Sequence, residues 1–539
     1  MENSTGGHGR FYRDQKWWRE ETFLSDLYRQ ADRQPNKIAL VGRRLHDARM
    51  DTLTYDDLAQ LTTRFAGALL DLGVGRGDVV ACQFPNRWEL APLLFACMRI
   101  GAVMCPITPD CPPDELRHRL ALTEAAVYIT TGELDEAAVR ALHSELPVRH
   151  VLVSDTPVPA GALSFYDKFV AVAWENSYAG ELSDTCLEAD EPFVVLFTSG
   201  TTGESKGVLH SQNTVYAAVR GYAHALALSE DLVAVVTTPL VHYSGLGQGI
   251  LTTVMLGATI IFHDRVCNRR YLDSIERFKA TLVYGPQPTI SDIVAAQQET
   301  ARDVSSLRKV VAGAMPVLEQ LVTQVHEALE ADVYSIWGMS EFGPVTVTPL
   351  EYDPYWAARS HGRPIGSVEI RIDSGSDPLE SAVMGRLLVR GASQAIGYHK
   401  RAEKFAAKFT PDGWFDTGDM ARADGRGGIR IIGRAQDMIV RDGEALPIAE
   451  LEALISQHSK VSEAAITAVA GDSGEVIVAV VVPSADVAPT REEIQEQLRS
   501  AGYDTRFYPE RVEVLSSLPK TTTGKVRKVE LRERFGPQG

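Results

Sequence analysis

Residues 194–208 read Val-Val-Leu-Phe-Thr-Ser-Gly-Thr-Thr-Gly-Glu-Ser-Lys-Gly-Val, and this stretch decides how the rest of the chain is interpreted. An apolar run typical of a buried strand leads into a loop of small and hydroxylated residues. Glycines such as Gly200 and Gly203 let backbone N–H groups approach a ligand closely, and successive N–H groups form an anion-binding nest. Hydroxyl and ammonium groups donate to phosphate oxygens. The candidate donors are Thr198, Ser199, Thr201, Thr202 and Lys206.

Three other interpretations of this loop are possible. A flexible linker is typical of Ser/Thr/Gly runs, but this loop follows a strand and carries a lysine. The Walker A pattern fails because Ser205 precedes Lys206. Residues 203–207 match G-x-S-x-G, the hydrolase elbow, in which a strand runs straight into the serine. A serine hydrolase therefore stays open as an alternative of a different class.

Composition narrows the class of protein further. The 539 residues carry a formal charge of −17, which argues against a general nucleic-acid or anionic-membrane binder. The six cysteines form no CxxC pair, as expected in a reducing compartment. No run approaches the roughly 20 apolar residues of a membrane span. We expect a cytoplasmic protein with small-molecule partners, no nucleic-acid partner and no membrane span.

The pattern of elements changes twice along the chain. The first half alternates helical and strand-like segments, which predicts layered α/β architecture. From about Ile365, short alternating strands with Gly-rich turns predict an all-β unit. After Arg434 a compact piece with both helices and strands begins, so we place a boundary at about Arg434–Asp437.

Seven ordered motifs give the chain a resemblance to the adenylate-forming superfamily, which includes acyl-CoA synthetases, aryl-acid ligases, luciferases and peptide-synthetase adenylation domains. The motifs lie at residues 198–207, 239–242, 312–316, 337–341, 413–419, 433–437 and 518–525. The resemblance covers about Thr54 to Leu531 and is closest to the stand-alone acid–CoA ligases.

The resemblance implies an α/β fold with two domains. Residues 1–433 would form the N-terminal AMP-binding domain, with two α/β layered subdomains and a small β-barrel-like subdomain. Residues 434–539 would form a small mobile α+β C-terminal domain that rotates about a hinge at 434–437 between two half-reactions. Hinges of this kind absorb the change of backbone angles at a few residues.

The family reaction joins a carboxylate to ATP, giving acyl-adenylate and pyrophosphate. By resemblance, the loop from Thr198 to Lys206 holds the β- and γ-phosphates, Glu341 binds Mg²⁺, and Lys525 bridges the attacking carboxylate and the α-phosphate. A cation there neutralises two anions that must meet. The expected catalytic residues are Lys525, Glu341, Thr198 and Lys206. The expected ATP/AMP contacts are Thr198, Ser199, Gly200, Thr201, Thr202, Gly203, Lys206, Gly313, Ala314, Trp337, Gly338, Met339, Ser340, Asp419, Arg434 and Lys525.

The acyl pocket is expected at His242, Tyr243, Gly245, Gly313 and Gly338. Tyr243 stands where amino-acid-activating relatives have aspartate, and Gly338 stands where acetate-specific relatives have tryptophan. Together with Gly247, Ala312 and Ala314, these glycines predict room for a larger acid. The implied substrate is a medium-sized apolar acid of the medium-chain, alicyclic or aryl kind.

Coenzyme A is the expected acceptor, with Gln436, Arg441, Gly443 and Glu444 as the hinge and acceptor residues. Two departures bear on this step. Relatives commonly carry Asp or Lys at Gln436, and Asp442 puts a carboxylate where many have glycine. A carrier-protein thiol or an amine therefore remains an alternative acceptor. A binding module without turnover is a third interpretation, which Lys525 and Glu341 disfavour.

Overall fold

A computed structural model describes residues 8–45, 47–132, 134–184, 187–198, 205–374, 384–441, 444–471, 474–485, 487–520 and 526–536. The helices are α1 (His8–Asp14), α2 (Phe23–Arg33), α3 (Tyr55–Asp71), α4 (Leu90–Ile100), α5 (Pro113–Thr123), α6 (Glu136–Glu145), α7 (Trp174–Ser177), α8 (Ala179–Asp184), α9 (Gln212–Ala225), α10 (Thr252–Leu256), α11 (Asn268–Phe278), α12 (Gln287–Glu299), α13 (Glu319–Leu329), α14 (Ala402–Ala406), α15 (Ile448–Ile455), α16 (Arg491–Ser500) and α17 (Lys528–Phe535). Short π-helical segments span Tyr166–Val170 and Ser244–Leu251, and 3₁₀ turns span Pro354–Ala358, Ala435–Asp437 and Thr505–Phe507.

The strands are β1 (Ile38–Arg43), β2 (Met50–Thr54), β3 (Val79–Gln83), β4 (Val103–Ile107), β5 (Val127–Thr130), β6 (His150–Val153), β7 (Leu163–Ser164), β8 (Pro192–Thr198), β9 (Lys206–Ser211), β10 (Val233–Val236), β11 (Thr259–His263), β12 (Leu282–Pro286), β13 (Lys309–Gly313), β14 (Asp332–Met339), β15 (Gly343–Val347), β16 (Arg363–Pro364), β17 (Val368–Asp373), β18 (Met384–Gly391), β19 (Gly397–Tyr398), β20 (Phe415–Ala423), β21 (Ile429–Arg434), β22 (Val440–Arg441), β23 (Glu444–Ala445), β24 (Val461–Gly471), β25 (Gly474–Pro483) and β26 (Arg511–Val514).

Two large sheets form the layered α/β part of the molecule. The first has eight strands in the order β19-β9-β8-β4-β3-β5-β6-β7, and the second has nine in the order β16-β15-β14-β13-β12-β10-β11-β1-β2. Their central strands pair in parallel and are joined through helices. Helices on both faces bury these strands, which explains their nearly continuous runs of valine and isoleucine.

The second sheet gathers three of the sequence motifs at one edge. Strands β10, β12, β13 and β14 are parallel, so their carboxyl ends point the same way. The motif at 239–242 follows β10, the motif at 312–316 follows β13, and the motif at 337–341 lies at the end of β14. Ligands of open α/β sheets bind at such carboxyl edges.

The third sheet is antiparallel, with the strand order β17-β18-β20-β21. Among the described residues its outer strands are β17 and β21, and this sheet is the all-β unit that the alternating strands after Ile365 predict. Strand β20 carries Asp419 at its middle, opposite Arg434, which ends strand β21.

The C-terminal segment has its own sheet and core. Strands β24, β25 and β26 form a three-stranded sheet. One face packs against α15 and α16 through residues such as Leu451, Ile466 and Ile494, and the other packs against α17 through Leu531. A separate core on each face of a small sheet is what an independently packed domain requires.

Local signals explain why the elements begin where they do. Helix α3 starts after Thr54, whose side chain accepts from Asp57 N–H while Asp57 reaches back to Thr54 N–H. Thr490 and Glu493 repeat this capping box at α16. Such reciprocal caps satisfy two orphan donors at a helix start. Among the described helices, none has the length and apolar character to cross a bilayer.

Candidate active site

The phosphate-loop candidate is a hairpin connection between two neighbouring strands. Thr198 ends β8 and Lys206 begins β9, and these residues pair in antiparallel register. Gly207 must be small here, because a Cβ would come within 2.7 Å of Val195. The candidate loop contacts Ser199, Gly200, Thr201, Thr202 and Gly203 lie outside the described residues.

The same hairpin bears on the hydrolase alternative. A nucleophile elbow needs a strand that turns sharply at the serine and enters a helix. Ser205 is instead followed directly by strand β9, which runs antiparallel to β8. The chain therefore lacks the strand–serine–helix geometry at this match, and the hydrolase interpretation loses its structural basis.

Glu341 is a buried carboxylate two residues after the end of β14. Only 8% of the residue is exposed, and its Oε1 accepts a hydrogen bond of 2.7 Å from the Tyr398 hydroxyl. The Glu341 carbonyl also accepts from Ala395 N–H at 2.7 Å. Burial and the neighbouring Glu341 charge raise the pKa of Tyr398, so the phenol keeps its proton and remains a donor.

Lys206 brings positive charge close to Tyr398, the hydrogen-bond partner of Glu341. Its Nζ lies 5.3 Å from the centroid of the Tyr398 ring, within the range of a cation–π contact. Burial lowers the pKa of Lys206, and the charges of Lys408 and Lys404 lower it further, while Glu341 opposes them. Lys206 thus has two other lysines as neighbours, and a polyanion placed there would relieve their mutual repulsion.

His210 connects the first two sheets beside this carboxylate. Its Nε2 lies 2.7 Å from the carbonyl of Ser340 and its Nδ1 lies 2.9 Å from the Thr214 hydroxyl. The carbonyl only accepts, so Nε2 carries the proton and donates to it, while the Thr214 hydroxyl beside Nδ1 donates to the Ser211 carbonyl at 2.9 Å. Burial lowers the pKa of His210 to about 4, so the neutral ring holds the turn at Ser340 in place.

Asp419 and Arg434 form an ion pair in the third sheet, at the end of strand β21. The two residues are register partners on β20 and β21, and Arg434 Nε lies 3.0 Å from Asp419 Oδ1. Asp419 is 6% exposed, and its N–H donates to the Thr417 hydroxyl at 3.0 Å. A fixed carboxylate next to a guanidinium can accept from hydroxyls and donate to an anion.

Trp337, one of the expected ATP/AMP contacts, has a partly structural role. Trp337 is half-buried and packs against the core of the third sheet around Leu387 and Ala421. Met339 and Ser340 are half-exposed at the end of the same strand. Gly313 ends β13, and Ala314 follows in a left-handed conformation with φ of +71°. A non-glycine residue at positive φ is strained and is typical of functional turns.

The described residues offer a magnesium ion one suitable carboxylate but no complete set of protein ligands. No group of three or more His, Cys, Asp or Glu side chains arranged to hold a metal occurs among them. Mg²⁺ is usually held by one or two carboxylates together with substrate phosphates and water. One buried, hydrogen-bonded carboxylate at Glu341 beside the phosphate-loop strand agrees with that mode.

The acyl-pocket candidates His242 and Tyr243 precede the π-helical segment Ser244–Leu251. The Tyr243 ring is buried, and its centroid lies 5.2 Å from that of His210. Burial raises the pKa of Tyr243, and its hydroxyl has no hydrogen-bond partner among the described residues. This side chain therefore presents a neutral, largely apolar surface without a charge for a substrate ammonium.

Four of the glycines expected to give the pocket room have no space for a Cβ of their own. A Cβ at Gly338 would lie 2.2 Å from the Gly343 carbonyl oxygen, and one at Gly245 would lie 2.3 Å from the Pro239 carbonyl oxygen. At Gly247 it would meet the Tyr243 ring at 2.8 Å, and at Gly313 it would meet Ile336 at 2.9 Å. Protein atoms already fill the space in front of these Cα atoms, so the glycines allow close chain packing instead.

The hinge and acceptor candidates lie in three short segments. Gln436 is exposed in the turn Ala435–Asp437, and Arg441 pairs with Glu510 at 3.1 Å. The backbone of Glu444 pairs with Arg441 in the hairpin β22–β23. Gly443, and Asp442 beside it, lie outside the described residues.

Lys525 also lies outside the described residues, but its flanks are defined. Lys520 and Val526 form an antiparallel bridge, and Arg527 N–H donates to the Pro519 carbonyl at 2.8 Å. Helix α17 follows, and its Arg532 pairs with Asp437 at 3.0 Å. An ion pair thus links the predicted hinge to the helix that follows Lys525.

Comparison with known proteins shows which family the chain belongs to. The AMP-binding enzyme family matches residues 27–399, and the AMP-binding enzyme C-terminal domain matches residues 450–525. The chain belongs to the AMP-binding enzyme family. It has the large N-terminal domain and small C-terminal domain of the adenylate-forming ligases, which confirms the resemblance and the fold class.

Two curated relatives of this AMP-binding enzyme act on different acids. The medium-chain fatty-acid–CoA ligase of Escherichia coli is 29% identical, covering 97% of this chain and 92% of its own length. The feruloyl-CoA synthase of an Amycolatopsis species is 32% identical, covering 90% of this chain and 94% of its own length.

Two solved structures share the fold. The anthranilate CoA ligase AuaEII, in complex with anthranoyl-AMP, has a TM-score of 0.82 at 22% identity, covering 96% of this chain and 97% of its own. The amide bond synthetase McbA of Marinactinospora thermotolerans has a TM-score of 0.77 at 25% identity, covering 96% of this chain and 100% of its own.

Sequence reasoning missed two residues that organise this AMP-binding enzyme's candidate site. Tyr398 lies 57 positions from its partner Glu341, and no spacing rule links them. His210 follows Lys206 on strand β9, and its position just after the phosphate-loop candidate was the one signal that could have drawn attention to it.

The Gly338→Ala variant tests why this residue is glycine. We expect the added methyl group to displace the turn at Gly343, lowering Tm and reducing adenylation of every acid in a size series by a similar factor. Thermal unfolding and acid-dependent exchange of pyrophosphate with ATP measure the two effects. The control is Gly75→Ala, where nothing lies within 4 Å of the new Cβ. A selective loss of only the larger acids, with Tm unchanged, would support the pocket-room interpretation.

The His210→Gln variant tests the neutral imidazole. In the wild type, the pKa of His210 is about 4, against 6.5 in an unfolded chain. As pH falls from 6.5 to 4, the unfolded wild type binds a proton that the folded state does not, so the wild type loses stability that the variant keeps. The stability difference between the two should therefore shrink by up to about 3 kcal/mol.

Urea unfolding of both proteins at pH 7.5 and 4.5 measures this difference. The exposed His326 on α13 provides the control variant His326→Gln, which should track the wild type at both values. A difference that is independent of pH would show that His210 is not held neutral.

Proposed function

We propose that this AMP-binding enzyme is an acid–CoA ligase that activates a medium-sized apolar carboxylic acid. In the first step a carboxylate oxygen would attack the α-phosphorus of ATP, forming acyl-AMP and releasing pyrophosphate. In the second step the thiol of coenzyme A would attack the acyl carbon, and AMP would leave. The observation that carries this proposal is that Tyr398 contacts both Lys206, through its ring, and the buried Glu341, through its hydroxyl, beside the carboxyl end of β14.

The nucleotide would lie across the junction of the three sheets. The strand pair Thr198–Lys206 would present the phosphate loop to the β- and γ-phosphates, with Lys206 supplying charge. Asp419 would accept from the ribose hydroxyls, and Arg434 would be held for the ribose or a phosphate by its ion pair with Asp419. The half-buried Trp337 would offer its free face to adenine. A preorganised set of charges of this kind lowers the cost of bringing two anions together.

Glu341 would hold Mg²⁺ through the carboxylate oxygen that Tyr398 leaves unoccupied. The ion would neutralise charge on the phosphates of ATP. Lys525 would complete the site by neutralising both the acid and the α-phosphate. We place the hinge that delivers it at residues 434–437, between domains at 1–433 and 434–539, because β21 ends at Arg434 and a short turn follows.

The acid is proposed to be medium-chain, alicyclic or aryl. Tyr243 offers a neutral ring and no counter-charge for an ammonium group, which disfavours amino acids. The named activities of the two curated relatives, on medium-chain and on feruloyl acids, bracket this size range. The glycine positions no longer contribute to this proposal.

A second candidate keeps the adenylate and changes the acceptor to an amine or a carrier-protein thiol. The exposed Gln436 at the hinge and Asp442 near the expected pantetheine path motivate it. The likeness to an amide bond synthetase at 25% identity favours the amine in particular. Acid-dependent release of AMP, measured with coenzyme A, a carrier protein and simple amines in parallel, separates the two candidates.

Acid-dependent exchange of pyrophosphate with ATP tests the first step. We expect exchange with one class of medium-sized acids and a loss of at least about 100-fold in Lys525→Ala, because one charge no longer bridges two anions. Lys520→Ala is the matched control. It removes a lysine from the same basic segment, one that pairs with Glu463 at 2.7 Å, and should retain exchange. Exchange that survives equally in both variants would contradict the role of Lys525.

A further inference from the structure

Tyr398 stands between the two charged groups to which the proposed function assigns the phosphates and their metal ion. Its hydroxyl donates to Glu341 Oε1 at 2.7 Å, and its ring faces Lys206 Nζ at 5.3 Å. The residue itself is 3% exposed. A single side chain therefore contacts the carboxylate with its polar end and the ammonium with its aromatic face.

The backbone around Tyr398 is fixed to both sides of the site. Gly397 and Tyr398 pair with Leu209 and Val208 of β9, and His399 N–H donates to the Gly207 carbonyl at 2.7 Å. Three residues before Tyr398, Ala395 N–H donates to the Glu341 carbonyl. The segment 395–399 thus joins the strand that carries Lys206 to the turn that carries Glu341.

The ring of Tyr398 is also held by other aromatic side chains. It lies edge-on to Phe405 at 5.1 Å, Phe405 lies 5.9 Å from Phe415, and Phe415 lies 5.4 Å from Phe342. Phe342 is the neighbour of Glu341, and Phe415 begins the strand that carries Asp419. Aromatic pairs at these distances favour defined mutual orientations, so the ring has little freedom to move.

We propose that Tyr398 is a positioning residue that fixes the Glu341 carboxylate, reserving its second oxygen for the metal ion on the phosphates of ATP. This inference rests on the proposed function. A buried carboxylate with no donor is costly and free to rotate. The phenol donates to one oxygen of the Glu341 carboxylate and sets the plane of that carboxylate. Lys206 lies over the Tyr398 ring and forms no ion pair with Glu341, so the second carboxylate oxygen is not occupied by it.

The Tyr398→Phe variant removes the donor and keeps the ring. At fixed ATP, the rise in Tm produced by ATP is measured as a function of free Mg²⁺, because this readout needs neither the acid nor turnover. We expect half-maximal stabilisation to need about 10-fold or more additional Mg²⁺, and exchange to fall by about 10- to 100-fold. Hydrogen bonds to charged groups are worth this much. The Michaelis constant for the acid should change by less than about twofold.

Tyr166→Phe is the matched control. The Tyr166 hydroxyl donates to Glu89, a fully buried carboxylate that is not part of the candidate site. This variant therefore loses the same kind of hydrogen bond outside the site. It should lower Tm to a similar degree and leave the Mg²⁺ requirement unchanged. An Mg²⁺ requirement in Tyr398→Phe equal to that of Tyr166→Phe would overturn the inference.

A double-mutant cycle with Glu341→Gln separates positioning from general loss of structure. If Tyr398 acts through Glu341, adding Tyr398→Phe to Glu341→Gln should change the Mg²⁺ requirement by less than about twofold. Fully additive effects would overturn the inference. Wild-type protein that MgATP does not stabilise would contradict the proposed function itself, and this inference with it. Wild-type stabilisation with an unaltered Tyr398→Phe would reject the inference alone.

Discussion

The candidate site depends on how the charge of one buried carboxylate is compensated. Glu341 is 8% exposed, and a carboxylate at such a place needs compensation from hydrogen bonds and positive charge. The carboxylate and the groups that compensate it come from two different sheets. The Tyr398 hydroxyl and the Lys206 ammonium both come from the first sheet and its edge, whereas Glu341 follows a strand of the second. Satisfying one charge therefore requires two sheets to meet in a single arrangement.

The third sheet and the C-terminal domain attach to that arrangement through a few specific contacts. Phe415 packs on Phe342 next to Glu341, and four residues further along β20 Asp419 pairs with Arg434. The chain then turns at Ala435–Asp437, and Asp437 pairs with Arg532 in the helix after Lys525. A path of named contacts thus runs from the buried carboxylate to the flank of the proposed catalytic lysine.

Much of this could be predicted from local sequence. The strand before the phosphate-loop candidate, the change to antiparallel strands after Ile365, and the turn after Arg434 each leave a pattern within about ten residues. The glycines show where local patterns stop being informative. Gly338 could leave a pocket open or let Gly343 approach, and only the distance of 2.2 Å to the Gly343 carbonyl distinguishes the two. Tyr398 and Glu341 are joined across 57 residues, and such a pairing becomes visible only after folding.

The central claim is that the acid and the α-phosphate of ATP form a bond through a carboxylate oxygen. The most direct measurement uses an acid whose carboxylate is labelled with ¹⁸O, followed by mass spectrometry of the AMP released in the presence of the acceptor. An acyl-adenylate keeps the attacking oxygen on phosphorus when its acyl–oxygen bond breaks, so the account predicts one ¹⁸O atom in each AMP. Unlabelled AMP, or acid-dependent release of ADP in its place, would contradict it.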